Sequence, residues 1–300
     1  MRPTGGGRFG PIALTLMAGS CAPPPSPQPV PAPLRVEAAA LPPVASYADH
    51  DFALSGRMIQ GGLLTGTAPA DTRALVFDGK PIRVAPDGRF IIGLDRDHPA
   101  SALIEATLDG GRGLRQRFAI APREWDIQSL PTLPRGTTPT PEFVRRRAAE
   151  QAMIAAARAI NPATDGWRQT FRWPVTGRVS GHFGSQRIYA GEPGAYHSGT
   201  DIARGAGTPV AAPADGVVIL ASPPTFSIEG NLLLIDHGMG LNSAFLHLSR
   251  IDVKAGDRVR QGQVVGAIGM TGRATGPHLH WGLKWNEARI DPELLVAPMR

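Results

Sequence analysis

The sequence predicts a mainly β chain: a small N-terminal β-sandwich, a connector helix and a C-terminal antiparallel β domain. Three observations predict it. Short apolar-polar runs alternate with turn signals along most of the chain. Gly and Pro number 36 and 30 of 300 residues, which suits many turns. One segment, near residues 138–161, carries a helical pattern with start and stop signals.

The bulk numbers bound the partners. Apolar residues make up 42%, enough for a packed core, and the formal net charge is +6. Arg is scattered and no dense basic stripe is interleaved with aromatics, so nucleic acid is not expected. An anionic polymer or a membrane surface suits the same charge. The single cysteine, Cys21, excludes an internal disulfide and a cysteine-based zinc site.

Residues 1–21 read as an export signal. Arg2 and Arg8 supply positive charge, and Pro11 to Ala18 form an apolar run too short to span a bilayer. Ala18-Gly19-Ser20-Cys21 resembles the lipobox of bacterial lipoproteins, which implies a lipidated Cys21 at the mature N-terminus. Plain secretion with cleavage nearby stays open. Ala22, rather than Asp, after the cysteine favours outer-membrane sorting in a cell with two membranes. Residues 22–45 are Pro/Ala-rich, prefer extended polyproline geometry and read as a spacer.

Residues 46–130 hold short runs such as Ala74-Leu75-Val76-Phe77 and Arg89-Phe90-Ile91-Ile92, separated by hairpin-type Asp78-Gly79 and Asp87-Gly88. Evenly spaced strands of this kind suggest a small β-sandwich, with an immunoglobulin-like arrangement as one form. No catalytic constellation stands out there, and His98 reads as a solvated loop residue. In residues 138–161, Thr138 or Thr140 caps a helix with Pro141 and Glu142 in its first turn. Phe143, Ala148 or Ala149, Met153, Ile154 and Ile160 suggest its apolar stripe, and Arg145-Arg146-Arg147 a solvated face. Residues 165–300 show eight strand-like runs and no helix-length pattern, hence an antiparallel β-fold with long loops.

The chemistry collects in this last domain. In Gly276-Pro277-His278-Leu279-His280-Trp281-Gly282, a strand puts His278 and His280 on one face and Leu279 and Trp281 on the other. Upstream stand Tyr196-His197-Ser198-Gly199-Thr200-Asp201 and Phe245-Leu246-His247-Leu248-Ser249. These pieces, in this order, resemble the lysostaphin/LytM-type zinc endopeptidases, which cut peptide bonds in bacterial peptidoglycan. The likeness runs from about Trp173 to Leu295.

The resemblance implies that His197, Asp201 and His280 hold Zn2+, leaving a position for water. It implies an open groove and peptidoglycan peptides as substrate. His278 is then the general base, and His247 orients the water or stabilises the oxyanion; an exchange of these two roles stays open. His237 reads as structural, His182 as lining the groove without binding metal, and Tyr196 as a candidate support for the transition state. Val253 to Gly266 resembles half of a biotinyl/lipoyl carrier motif, but the matching tip, Ile268 to Gly272, has no lysine to hold a prosthetic group. Two functions follow: a tethered envelope endopeptidase for wall remodelling, or a non-catalytic regulator that activates other wall hydrolases. A complete ligand set favours the first.

Overall fold

The computed structural model describes residues 46–134, 136, 138–222 and 224–299. The export signal, Cys21 and the spacer of residues 22–45 lie outside the described residues. Among the described residues, no helix is long and apolar enough to cross a membrane.

The N-terminal part forms two sheets. Five strands run in the order Tyr47–Asp49, Gly113–Ala119, Ser101–Leu108, Thr72–Phe77, Lys80–Ile82. Three more, Ser55–Gly56, Leu63–Thr67 and Arg89–Gly93, form the other. Phe52, Leu64, Phe90, Ile92 and Ile104 are fully buried within this part. Asp78 and Gly79 sit at φ +46° and +76°, the left-handed pair that a two-residue hairpin requires, and they join paired strands. Asp87-Gly88 behaves differently. Its turn closes Ala85 N–H on Arg89 O at 2.8 Å and carries the chain from the five-stranded to the three-stranded sheet. His98 also departs from expectation. Its ring packs on Phe77 and lies 3.1 Å from Asp78 Oδ2, so it is held, not solvated.

The helix is Pro141–Arg158. Thr140 caps it by accepting from Phe143 N–H at 3.2 Å, Pro141 stands in the first turn, and Arg158 in the last. The expected apolar stripe does not form: Phe143, Met153 and Ile160 are exposed. The buried side is Glu150, Ile154 and Ala157, which follow one another at i, i+4 and i+7. Polar bonds seat it. Arg147 Nη1 and Nη2 each reach a Glu229 oxygen at 2.6 Å, and Glu150 accepts from Ser227 N–H at 2.7 Å. Two members of the arginine run are therefore tethers, since Arg146 also donates to Thr225 O.

The C-terminal part is built on a ten-stranded sheet whose paired strands are all antiparallel. Its spine runs Arg178–Gly181, Thr200–Ala203, His278–Trp285, Leu241–Ile251, Asn231–Asp236, Gly216–Ala221, Arg258–Val259. Leu279, Trp281, Leu283 and Trp285 alternate into the core, which leaves His278, His280, Gly282 and Lys284 on the opposite face. The helix packs its Ile154 and Ala157 on that same face, against Leu232, Leu234 and Ala244. A small sheet of Ile127–Leu130, Gln186–Tyr189 and Glu192–Pro193 was not foreseen. Its strands are mostly exposed and lack alternation, so they carry no period-two signal.

One buried apolar cluster runs through both parts. Phe77 meets Trp285 with ring centroids 6.3 Å apart, and Arg123 bonds Asp291 at 2.8 Å. Gly93 packs closely at this junction, since a Cβ there would lie 2.5 Å from Ile290 Cδ1 and 3.0 Å from Trp285 Cβ. Gly93→Val should therefore cost about 1–3 kcal/mol through overpacking. Because the cluster is continuous, calorimetry should find one unfolding transition lowered as a whole. Two separated transitions, with only one shifted, would contradict the shared core.

Candidate metal centre

Strand register builds the centre. Asp201 pairs directly with His280, and Ala203 with His278. Directly opposed residues on an antiparallel pair share a face and stand close enough to interact. His197 arrives on the loop just before the Thr200–Ala203 strand. His197 Nε2 lies 3.0 Å from Asp201 Oδ1 and 3.0 Å from His280 Nδ1, and His280 Nδ1 lies 2.8 Å from Asp201 Oδ1. Two imidazole nitrogens and a carboxylate oxygen converge on one point, and this is the set that geometry offers a metal ion.

His278 and His247 flank it. His278 Nε2 is 3.8 Å from Asp201 Oδ1, and the His247 ring lies 4.8 Å from His278 and 6.4 Å from His280. All five residues singled out from the sequence are thus brought together. The position of His247 has a reason that alternation does not give. Phe245 and Leu248 are both core residues, so regular alternation from Phe245 would turn residue 247 inward. The ladder with Asn231–Asp236 shifts there, and His247 takes φ +63°. This bulge swings its ring out beside His278.

Three of the four imidazoles are oriented by a backbone carbonyl. His197 Nδ1 lies 3.0 Å from His182 O, His247 Nδ1 2.8 Å from Thr271 O, and His278 Nδ1 2.8 Å from Gly276 O. An Nδ1–H donated to each carbonyl leaves Nε2 with its lone pair facing the centre. Burial resists ionisation of Asp201, but bonds from His197 and His280 prevail and hold its carboxyl well below the usual carboxylate range. Burial also lowers His197, yet the Asp201 carboxylate outweighs it and the net shift is upward. Burial depresses His280, and it takes His247 down to about 4, aided by the neighbouring His278 and His280. His247 is therefore neutral at neutral pH.

The other candidates separate cleanly. His237 is fully buried, with Nδ1 2.8 Å from Asp215 O and Nε2 2.8 Å from Ser243 Oγ, and burial lowers it to about 4. It is a structural residue. His182 bonds Glu293 at 2.9 Å, and its carbonyl orients His197. The Tyr196 hydroxyl is spent on Asp95 at 3.1 Å, so it supports the N-terminal contact and not a reacting group. Sequence reasoning missed Asp95, Glu293 and the carbonyls of Thr271 and Gly276. No motif marks a residue whose part is played by its backbone oxygen. Asp95-Arg96-Asp97, a dense charge cluster in a short loop, was the available signal for the N-terminal contribution.

Comparisons with known proteins bear on this geometry. The model of Peptidase family M23 matches residues 195–292, which include all five residues. A Pseudomonas aeruginosa protein whose crystal structure is described as an M23 peptidase superposes with a TM-score of 0.62 at 30% identity, covering 80% of this chain and 95% of that one. The chain belongs to peptidase family M23. Among curated M23-like relatives, the peptidoglycan DD-endopeptidase ShyA of Vibrio cholerae is 43% identical over 115 residues, 37% of this chain and 26% of that protein. The DD-carboxypeptidase/endopeptidase Mpg of Neisseria meningitidis is 36% identical over 121 residues, 40% of this chain and 27% of that one. The chain thus matches about a quarter of each of these curated relatives.

Family M23 peptidases use zinc, and the donor set here fits it: imidazole nitrogens and a carboxylate oxygen with no competing thiolate. The fit is close on the far side of Asp201. A Cβ at Gly181 would lie 2.7 Å from Asp201 Oδ2 and 3.2 Å from its Cγ. Gly181→Ala should displace that carboxylate and weaken zinc binding about 10- to 100-fold, the scale of an outer-shell change. Competition against a chromophoric chelator reads this directly, while an unchanged far-UV spectrum would confirm the fold.

Proposed function

We propose that the chain is a zinc-dependent endopeptidase that hydrolyses peptide bonds of bacterial peptidoglycan, in cross-links or stem peptides. The observation that carries the proposal is the convergence of His197 Nε2, Asp201 Oδ1 and His280 Nδ1 within 3.0 Å of one another, with two further imidazoles beside them. The wall-active relatives support the substrate class. In this reading His197, Asp201 and His280 are the metal ligands. The zinc supplies Lewis acidity, which polarises an oxygen and lowers the pKa of water toward about 7.

The chain's own residues do the rest. His278, with its Nδ1–H spent on Gly276 O, presents a free Nε2 lone pair. It accepts a proton from the attacking water and returns it to the leaving amine as the peptide C–N bond breaks. His247 presents Nε2 in the same tautomer, so it accepts a hydrogen bond and does not donate one. That supports orienting the water over stabilising an oxyanion. A complete donor set supports turnover over the regulator reading.

Location belongs to the same proposal. A substrate in the wall places the chain in the cell envelope, and the signal-like residues 1–21 support the periplasm with an outer-membrane lipid anchor at Cys21. Cys21→Ser should release the protein from the membrane fraction, and unchanged fractionation of that variant would remove the anchor.

Two substitutions separate ligand from base. His280→Ala should strip zinc and activity together. His278→Ala should keep zinc and lose roughly 100- to 10,000-fold in turnover. Zinc content by plasma mass spectrometry and muropeptide release from purified sacculi measure both. Wild-type zinc and wild-type rates in His280→Ala would defeat the assignment.

A further inference from the structure

A cleft of about 590 Å³ leads away from His280 along the sheet. Its floor is apolar or small, with Ala244, Leu246 and Gly282, and the Pro141–Arg158 helix forms one wall. The cleft also carries charge. Five cations line it, and two of them are already neutralised: Arg147 by Glu229 at 2.6 Å and Lys284 by Glu287 at 2.8 Å. The other three are Arg83, Arg158 and Arg289, and among the described residues they stand in no ion pair. Arg83 and Arg289 are exposed and Arg158 is half-buried, so these three guanidinium groups give the cleft a solvent-facing positive field that attracts an anion.

Arg158 and Arg289 are also held in place. Arg158 is half-buried and uses only Nε, on Asn242 Oδ1 at 3.1 Å, which leaves its two terminal nitrogens free among the described residues. Arg289 rests over the Tyr196 ring at 5.3 Å, one residue from His197. The nearby Asp95 carboxylate is engaged by the Tyr196 hydroxyl and the Arg289 backbone N–H. Burial first, and then the Arg289 charge, lower the Arg158 guanidinium, as expected when two cations face one space.

We propose that this cleft is a carboxylate-recognition subsite, with Arg158 and Arg289 as its specificity-determining residues. The group recognised is a free carboxylate on the bound peptide, some way along the chain from the bond over His280. A planar guanidinium with two free nitrogens matches a carboxylate with paired bonds, which a lysine cannot reproduce. The subsite rests on the peptidase reading for the identity of its peptide, and its chemistry is read independently by binding.

The test is calorimetric titration of the purified, zinc-loaded full chain with an uncross-linked stem peptide bearing free carboxylates. The same peptide after carbodiimide amidation is the comparison. The free-carboxylate peptide should bind at least 10-fold more tightly, with the difference shrinking at high salt. Arg158→Gln and Arg289→Gln should each abolish most of that difference, and Arg158→Lys should restore part of it. Thermal melts identify any variant that fails to fold, and the other glutamine variant then carries the test. Equal binding of the two peptides by the wild type, or full discrimination in a folded glutamine variant, would overturn the subsite. Hydrolysis of cross-linked muropeptides is followed on the same preparations. Discrimination without hydrolysis would sink the peptidase reading and leave the subsite standing, whereas hydrolysis without discrimination would do the reverse.

Discussion

The pairing of Asp201 with His280 is the constraint on which the centre depends. Neither residue reaches the other through a flexible side chain. They are opposite members of an antiparallel ladder, and Thr200 opposite Trp281 and Ile202 opposite Leu279 fix the register from the buried side. A slip by one residue would bring the ladder's core positions to the groove face. The register is secured deeper still. Trp281 Nε1–H donates to Ser243 Oγ at 3.2 Å, and His237 Nε2 meets the same oxygen at 2.8 Å. A buried histidine outside the His197–Asp201–His280 cluster thus helps to hold the strand that carries His278 and His280.

The N-terminal part belongs to the same construction. Arg96 is buried, donates from Nε to Gly184 O at 3.0 Å and lies over both Trp125 and Tyr196. Gly184 N–H in turn donates to His197 O at 2.8 Å. The loop that delivers His197 is therefore gripped from outside the peptidase sheet. Asp95, on the same N-terminal turn, bonds both Tyr196 and Arg289. Ordering a loop costs backbone entropy of about 1–2 kcal/mol per residue. Contacts from a neighbouring β unit offset that cost for the loop that carries His197.

Much of this was legible in the sequence, for a physical reason. Short apolar-polar runs separated by turn signals marked the chain as mainly β, and alternation put His278 and His280 on one face. The five candidate residues could be named because short motifs carry side-chain chemistry, and the structure brings those five together. What was not legible depends on partners distant in the chain. The helix was misjudged because an apolar stripe was sought, whereas Glu150 and Arg147 seat it through Ser227 and Glu229, about eighty residues away. The N-terminal grip on residues 184–197 leaves no local pattern. His247 was expected in the groove, but the bulge that puts it there is invisible to alternation.

That bulge links the helix to the chemistry. A non-glycine residue held at φ +63° costs of order 1–3 kcal/mol and persists only where its surroundings over-determine it. His247 N–H donates to Glu229 O, and its ring is bound by Thr271 O, both at 2.8 Å. The Glu229 side chain takes both terminal nitrogens of Arg147 at 2.6 Å. Thr271 is tied back to the same segment, its Oγ1 accepting from Asn231 N–H at 2.9 Å. Helix, loop and strained histidine thus form one chain of bonds, in which Arg147 holds the loop whose carbonyl holds the bulge. The helix that walls the cleft is, through Glu229, also what keeps His247 facing His278.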